Sequence, residues 1–461
     1  MKRVISLTIC LALILSLCAC ASKPALSSDT PPDYTVLASA QYPVMAPYPI
    51  EMDYFNQKTG EFDDEGFYEV YKAWGDGKKA QMGYPERYTF FDGLKEYLTN
   101  SMSLFLSRSN GQNRAFSPLN TYMALSMLAE LTGGESRSQI LSLLGIEDIE
   151  QLRTQSSQVW NSSYCNDGAT TSIPASSLWL DEDIEFNQST MDNLAEYYYA
   201  DAFMGEMGSE ELNQALQDWL NEQTGGLLHE YVSDFELDSQ TILALATTLY
   251  YRAKWADEFD PDNTAEGRFS ILSADVETVP CDFMHQSRAK NYYWGEKFSA
   301  VSLRLENSGQ MWLMLPDGDV PMDELLQDEE AMAFIRANGN WSKSKQLIVN
   351  LSLPKFDISS KLDLADGLKA MGITDVFDGS KSDFSPTMKN PEGMFVSKVE
   401  HAARVAIDEE GCTAAAYTAM ALAGAGEPPT EEVDFVLDRP FLFVITGENS
   451  LPLFAGVVNR P

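Results

Sequence analysis

At 461 residues the chain is long enough for one large mixed domain plus an extension, and 44% hydrophobic residues with eight Trp are ample for a core, which excludes global disorder. Its 32 Lys and Arg against 69 Asp and Glu give a formal charge of −37, which argues against nucleic acid, heparin-like polyanions and anionic lipid headgroups as partners.

Lys2 and Arg3 form a positive n-region, Val4 to Leu17 an apolar run, and Leu17-Cys18-Ala19-Cys20 closes it with small residues. This resembles a bacterial lipobox, which implies a signal peptide over residues 1–19, cleavage before Cys20, and lipid on the Cys20 thiol. The protein would then be exported and anchored to the outer face of the cell membrane, since two acyl chains hold durably where one does not. An uncleaved transmembrane anchor is the competing reading, against which the apolar run is shorter than about 20 residues. Cys165, Cys281 and Cys412 have no regular spacing, so neither a disulfide framework nor a metal site is legible, and no cofactor is expected.

Ala21 to about Pro49 is rich in Ser, Pro and Ala and reads as an extended tether. Glu51 to Tyr84 is too aromatic for a plain linker, and a short docking helix is expected near Glu65 to Trp74. Residues 20–87 are therefore set apart from a domain spanning 88–461. Helical periodicity covers Phe90 to Leu106. Ser117-Pro118 opens a second helix, Ser as cap and Pro in the first turn, and Leu119 to Leu131 is apolar nearly all round, hence buried. Gly133-Gly134 ends it, and Arg137 to Leu144 makes another. Strand-like runs follow at Ser172–Trp179, Ile242–Tyr251, Ala300–Leu315, Leu347–Leu353 and Met394–Ile407, then in the tail at Phe435–Leu437, Phe441–Ile445 and Leu453–Val458. Helices lie mostly early and strands mostly late, which indicates α+β.

Asp408 to Gly426, DEEGCTAAAYTAMALAGAG, is a tight turn followed by small residues. As a strand it places Cys412, Ala414, Ala416 and Thr418 on one face and Thr413, Ala415, Tyr417 and Ala419 on the other. The first face is small enough to slide over a packed core without overpacking or burying a charge. Taken alone, the stretch reads equally as a helix or an Ala-rich linker. Cys412 is read as a small apolar residue.

Five stretches resemble the serpin family: Asn113 to Gly145; Leu249 to Phe269, around Trp255; LPKFDISSKLDLADGLKAMGITDVF; FVSKVEHAARVAIDEEG; and the carboxy-terminal DRPFLFVITGENSLPLFAGVVNRP. The resemblance covers about Phe90 to Pro461. It implies a serpin fold of three β-sheets and about nine helices, metastable, with an exposed reactive-centre loop. A target serine protease would cut that loop, become esterified to its new carboxyl end, and be dragged across the molecule as the loop inserts in the central sheet; about 14 inserted residues span almost 50 Å. Gly411 and the small residues after it fit the inhibitory hinge, with Cys412 and Tyr417 as departures. Glu409 and Lys355 match the pair that anchors the base of the loop, Trp255 the breach, and Ser117 and His401 the shutter. Asn120 and Thr247 stand where Ser and Asn are commoner, so that network is wired differently here.

Counting from Gly411 places the cut bond at Ala425-Gly426, with Leu422-Ala423 and Ala423-Gly424 as alternatives. None offers Lys or Arg, so the resemblance implies a covalent complex with an elastase-like protease first, subtilisin-like or papain-like second. GIEDIEQLRTQ carries no basic cluster, so no activation by heparin is expected, and the chain is expected to be a monomer. The competing class is a non-inhibitory surface relative serving as adhesin, carrier or sacrificial substrate. A catalytic reading of Ser117 with His229, His285 and His401 is set aside, because no nucleophile elbow precedes Ser117. No enzymatic activity is expected.

Overall fold

A computed structural model describes residues 34–56, 58–82, 92–226, 236–271, 277–306, 309–318, 320–397, 399–412 and 429–461. The extension contributes β1 (Thr35–Ala38), a 3-10 turn at Glu51–Tyr54 and α1 (Asp64–Met82). The helix-rich half follows: α2 (Asp92–Leu106), β2 (Arg114–Phe116), α3 (Pro118–Leu131), α4 (Gly134–Leu144), α5 (Ile149–Ser163), β3 (Cys165–Asn166), β4 (Thr171–Asp181), α6 (Gln188–Tyr198), β5 (Ala200–Gly205), α7 (Glu210–Gln223) and β6 (Leu243–Lys254). The strand-rich half has β7 (Ala265–Ile271), β8 (Glu277–Trp294), β9 (Phe298–Leu305), β10 (Gly309–Pro316), α8 (Met322–Leu326), α9 (Glu329–Ala337), β11 (Ser344–Pro354), β12 (Phe356–Asp363) and α10 (Ala365–Ala370). It closes with β13 (Glu400–Ile407), β14 (Gly411–Cys412), β15 (Glu432–Val436), β16 (Phe441–Thr446) and β17 (Pro452–Val458).

Among the described residues the strands form three sheets. The first runs β1-β5-β4-β6-β14, with β3 on β4; the second runs β15-β11-β8-β9-β10-β16-β17-β2, with β7 on β8; the third is β12-β13. In the first, β4 and β5 are parallel while β6 is antiparallel to β4, so Leu180 and Leu243 meet at the lower end and Thr171 and Arg252 near the upper. Phe441–Thr446 and Pro452–Val458 are buried throughout, so both read as continuous apolar runs rather than as alternating strands.

The local chemistry of α3 follows from its first residues. Ser117 accepts a hydrogen bond from the Asn120 amide at 3.2 Å, Pro118 occupies the first turn, and every residue of the helix but Ala124 is buried. Glu130, near its other end, is buried and bound bidentately by Arg153 of α5 at 2.6 and 2.9 Å, with Asn193 and Tyr198 of α6 donating to it as well. One carboxylate thus ties three helices behind the first sheet.

Several elements differ from the sequence reading; the strand expected over Met394–Ile407, for one, is β13 and starts only at Glu400. Residues 34–49, the described part of the stretch read as tether, are docked: β1 pairs with β5, Ser39 and the Ala40 amide donate to Asp201, and Tyr42 packs on Trp160 at 4.9 Å. These contacts are all long-range, so composition alone reads as linker. The expected short helix is the longer α1, continued past Trp74 because Trp74 is buried and Lys78 reaches Glu448 at 2.6 Å. The run Ala300–Leu315 is an antiparallel hairpin of β9 and β10, reversing beside Gly309 at φ +108°.

Candidate functional site

At the upper end of β6 the chain leaves β13, turns, and begins a new strand. Asp408 builds the turn: its carboxylate accepts the amides of Glu410 and Gly411 at 3.0 and 3.1 Å, and its own amide donates to the Gly411 carbonyl. Gly411 then pairs with Lys254 and Cys412 with Ala253, antiparallel to β6. The approach requires glycine, because a Cβ on Gly411 would collide with the Ala253 carbonyl oxygen and lie 2.7 Å from the Lys254 Cα. Among the described residues β6 pairs with β4 on one side and only with β14 on the other, and β13 pairs only with β12.

Trp255 clamps this turn. Its indole N–H donates to the Asp408 carbonyl at 2.8 Å and its amide to the Glu410 carbonyl at 3.0 Å, while the Phe259 amide donates to Glu409. The Glu409 carboxylate receives Lys355 at 2.9 and 3.2 Å and Thr264 at 2.8 Å. Burial alone would raise the Glu409 pKa, but the bonds from Lys355 and Thr264 outweigh it and hold the carboxyl below its usual range. The same bond raises Lys355.

At mid-height, under the sheet, the start of α3 reaches both strands that flank the turn. The Ser117 amide donates to Nε2 of His401 on β13 at 3.0 Å, and the Asn120 side chain donates to the Thr247 carbonyl on β6 at 3.0 Å. Ser117 Oγ donates to the Leu453 carbonyl at 2.7 Å. His401 is buried, its ring edge-on to Phe116 at 5.1 Å, and burial pushes its pKa down to about 4. Because Nε2 accepts from an amide, the ring is neutral with its proton on Nδ1. The hydroxyl of Ser117 thus faces a carbonyl rather than the imidazole, so the pair is not a nucleophile and its base.

The serpin (serine protease inhibitor) family model matches residues 98–461. The chain belongs to the serpin family. Serpin-ZX of Arabidopsis thaliana is 31% identical over 79% of this chain and 97% of its own length, and the leukocyte elastase inhibitor of Sus scrofa is 28% identical over 77% and 95%. The solved native stressed conformation of an Arabidopsis serpin superposes with a TM-score of 0.70 at 27% identity, covering 80% of this chain and 97% of that one. The fold is that of serpins, α+β with ten α-helices among the described residues. Serpins are in general serine protease inhibitors rather than enzymes.

The structure brings together Glu409, Lys355, Trp255 and Gly411 at the top of the serpin sheet, and Ser117 with His401 below. Of the remaining site residues, Ala414, Ala416, Thr418, Ala425, Gly426 and Cys20 lie outside the described residues, as does His229. Cys412 is placed by its backbone register opposite Ala253, which is buried in the main core. Sequence reading missed Asp408 and Thr264. An Asp opening a four-residue turn that ends in Gly was the available signal for the first; Thr264 lies 145 residues from Glu409, and no local pattern marks it.

Proposed function

We propose that this serpin inhibits serine proteases by suicide-substrate trapping, with Ala425-Gly426 as the cut bond. The observation that supports this is the start already made by β14. Its two described rungs, 411 with 254 and 412 with 253, each sum to 665. Continued, it sets Ala414, Ala416 and Thr418 opposite Tyr251, Leu249 and Thr247. Tyr251 and Leu249 pack against the main core, so the small residues meet the face where space is least.

In the chemical step the protease serine oxygen attacks the Ala425 carbonyl carbon. The Ala425-Gly426 C–N bond breaks, Gly426 leaves as an amine with the proton relayed by the protease histidine, and an ester remains. Insertion then pulls the ester to the far end of the sheet and distorts the protease, and losing even one oxyanion donor slows deacylation on the order of 10²- to 10³-fold.

The absence of Lys and Arg at Leu422, Ala423 and Ala425 supports an elastase-like target, and the likeness to a leukocyte elastase inhibitor adds to it. Lipid on Cys20 would anchor the protein to the outer face of the membrane. Mixing the protein with an elastase tests the reading: an SDS-stable band at the summed masses, with a released fragment beginning at Gly426, is expected, and clean cleavage without that band refutes it. Labelled palmitate is expected in the wild type and not in Cys20→Ser.

A further inference from the structure

The segment that follows β6 and the adjoining stretches of β8 and β11 line a cavity of about 600 Å³, a size that buries most of a small organic ligand. Phe259 and Leu351 supply apolar wall, and Glu258, Gln286 and Arg288 are among the polar residues on it. The cavity adjoins the turn at Asp408 to Gly411. Phe259 makes the connection: its amide donates to the Glu409 carbonyl at 3.0 Å, and its ring stands edge-on to Trp255 at 6.1 Å.

Most of the polar wall is already engaged. His285 bonds Ser352 at 2.9 Å, Ser287 donates to Asn350 at 2.8 Å, and Asp260 accepts the Asp262 amide and the Asn263 side chain. Gln286 and Arg288 are the exceptions. The Gln286 amide nitrogen donates to the Asp257 carbonyl at 3.1 Å, while its oxygen is buried and accepts from none of the described residues. An acceptor left in that state costs about 1 to 3 kcal/mol, which a donor brought by a ligand recovers.

Arg288 is exposed and meets no carboxylate among the described residues, since the carboxylate of Asp257 faces Arg304 at 3.7 Å. Burial first, and the charges of Arg304 and Arg288 after it, push nearby Lys290 down to about 8 against the pull of Asp257, so this end of the cavity is electropositive. Glu258 supplies the opposite sign. It follows Asp257 in the chain, and its pair with Lys254 is loose at 3.8 Å.

Gln286 and Arg288 pair with Leu351 and Val349 of β11, so they share one face of β8 about 7 Å apart. The wall therefore runs from carboxylate to amide oxygen to guanidinium. An extended chain advances about 3.3 to 3.6 Å per residue, so two or three residues pass from the amide oxygen to the guanidinium.

We propose that this cavity binds a short zwitterionic peptide, with its carboxylate on Arg288, an N–H on the Gln286 oxygen and its ammonium toward Glu258. Molecules of this class are the products of proteolysis. The peptide lies against Phe259, which also holds Glu409, so opening the turn removes one wall of the site. The closed turn then binds peptide better, and by linkage the peptide holds the turn closed. The site stands apart from the inhibitory reading, since neither its residues nor its ligand depends on a cut loop.

The experiment titrates triglycine into the full chain by calorimetry and follows hydrogen exchange at the Trp255 and Phe259 amides, both bonded to the turn. Arg288→Met is expected to weaken binding at least tenfold and Gln286→Leu at least threefold, the sizes that a charged and a neutral hydrogen bond carry, with Arg288→Lys recovering part of the loss. Amidated triglycine should bind wild type as weakly as triglycine binds Arg288→Met. Exchange at both amides should slow at least threefold at saturating triglycine. No heat with triglycine, equal affinity in Arg288→Met, or equal affinity for glycine, which is too short to reach both groups, overturns the site. Binding without slowed exchange overturns its coupling to the turn.

Discussion

Gly411 meets Lys254 as the first rung of a strand lying between β6 and the turn from β13, and the contact is close enough that no side chain fits on it. Gly411→Ala should therefore hinder the first step of insertion rather than binding of the protease. The expected outcome is a larger molar excess of serpin needed to silence elastase, with unchanged rate of loop cleavage. A stoichiometry identical to wild type would mean that the first rung is not where insertion starts.

Lys355→Met removes two hydrogen bonds from a Glu409 carboxylate that is only 13% exposed. Lys355 is itself 37% exposed, so the loss is put at about 1 to 2 kcal/mol, below that of a fully buried charged bond. Such a loss multiplies the open population about 5- to 30-fold. Accelerated loss of inhibitory activity on storage, with polymer or inactive monomer accumulating by native gel, would show it.

Acid should open the shutter. His401 has an ordinary pKa of 6.5 and one of about 4 when buried beneath the sheet, so an opened form takes up a proton that the closed form refuses. The stabilisation is complete above about pH 6.5 and is lost progressively as the pH falls through 4, by up to about 3 kcal/mol. Protonation also sets an imidazolium N–H against the Ser117 amide that now donates to it. Unfolding measured between pH 7.5 and 4.5 is expected to flatten in His401→Gln.

Arg153→Met leaves the Glu130 carboxylate buried with only Asn193 and Tyr198 as donors. Breaking a buried pair by removing one partner costs about 3 to 5 kcal/mol. Denaturant unfolding at neutral pH should show a loss of that size, and Glu130→Gln in the same background should recover part of it.

How much of this was legible depends on the range of the contact that decides each element. Ser117-Pro118 is readable because a cap and its helix are neighbours in sequence. The Glu409–Lys355 pair spans 54 residues and emerged only through the resemblance. Asn120 and Thr247 were flagged as a departure, and the structure supplies the reason: Asn120 bonds the backbone carbonyl of residue 247, so the side chain there is not asked to serve. The docking of β1 was invisible, since TVLA is a strand only because β5 offers an edge and Asp201 accepts two bonds. The 18-residue β8 was missed because charged residues interrupt its alternation, its pairing with β11 being what holds it.

Insertion itself is most directly read from heat stability after the loop is cut. If the cleaved loop fills the register that starts at Gly411, about a dozen new rungs add on the order of 10 kcal/mol, and the melting temperature of cleaved protein should exceed that of intact protein by roughly 20 °C. Ala414→Arg should be cleaved equally well and show no such rise, because its charge would fall opposite Tyr251, which is buried. An unchanged melting temperature on cleavage of the wild type, or an equal rise in Ala414→Arg, would contradict insertion as the basis of inhibition.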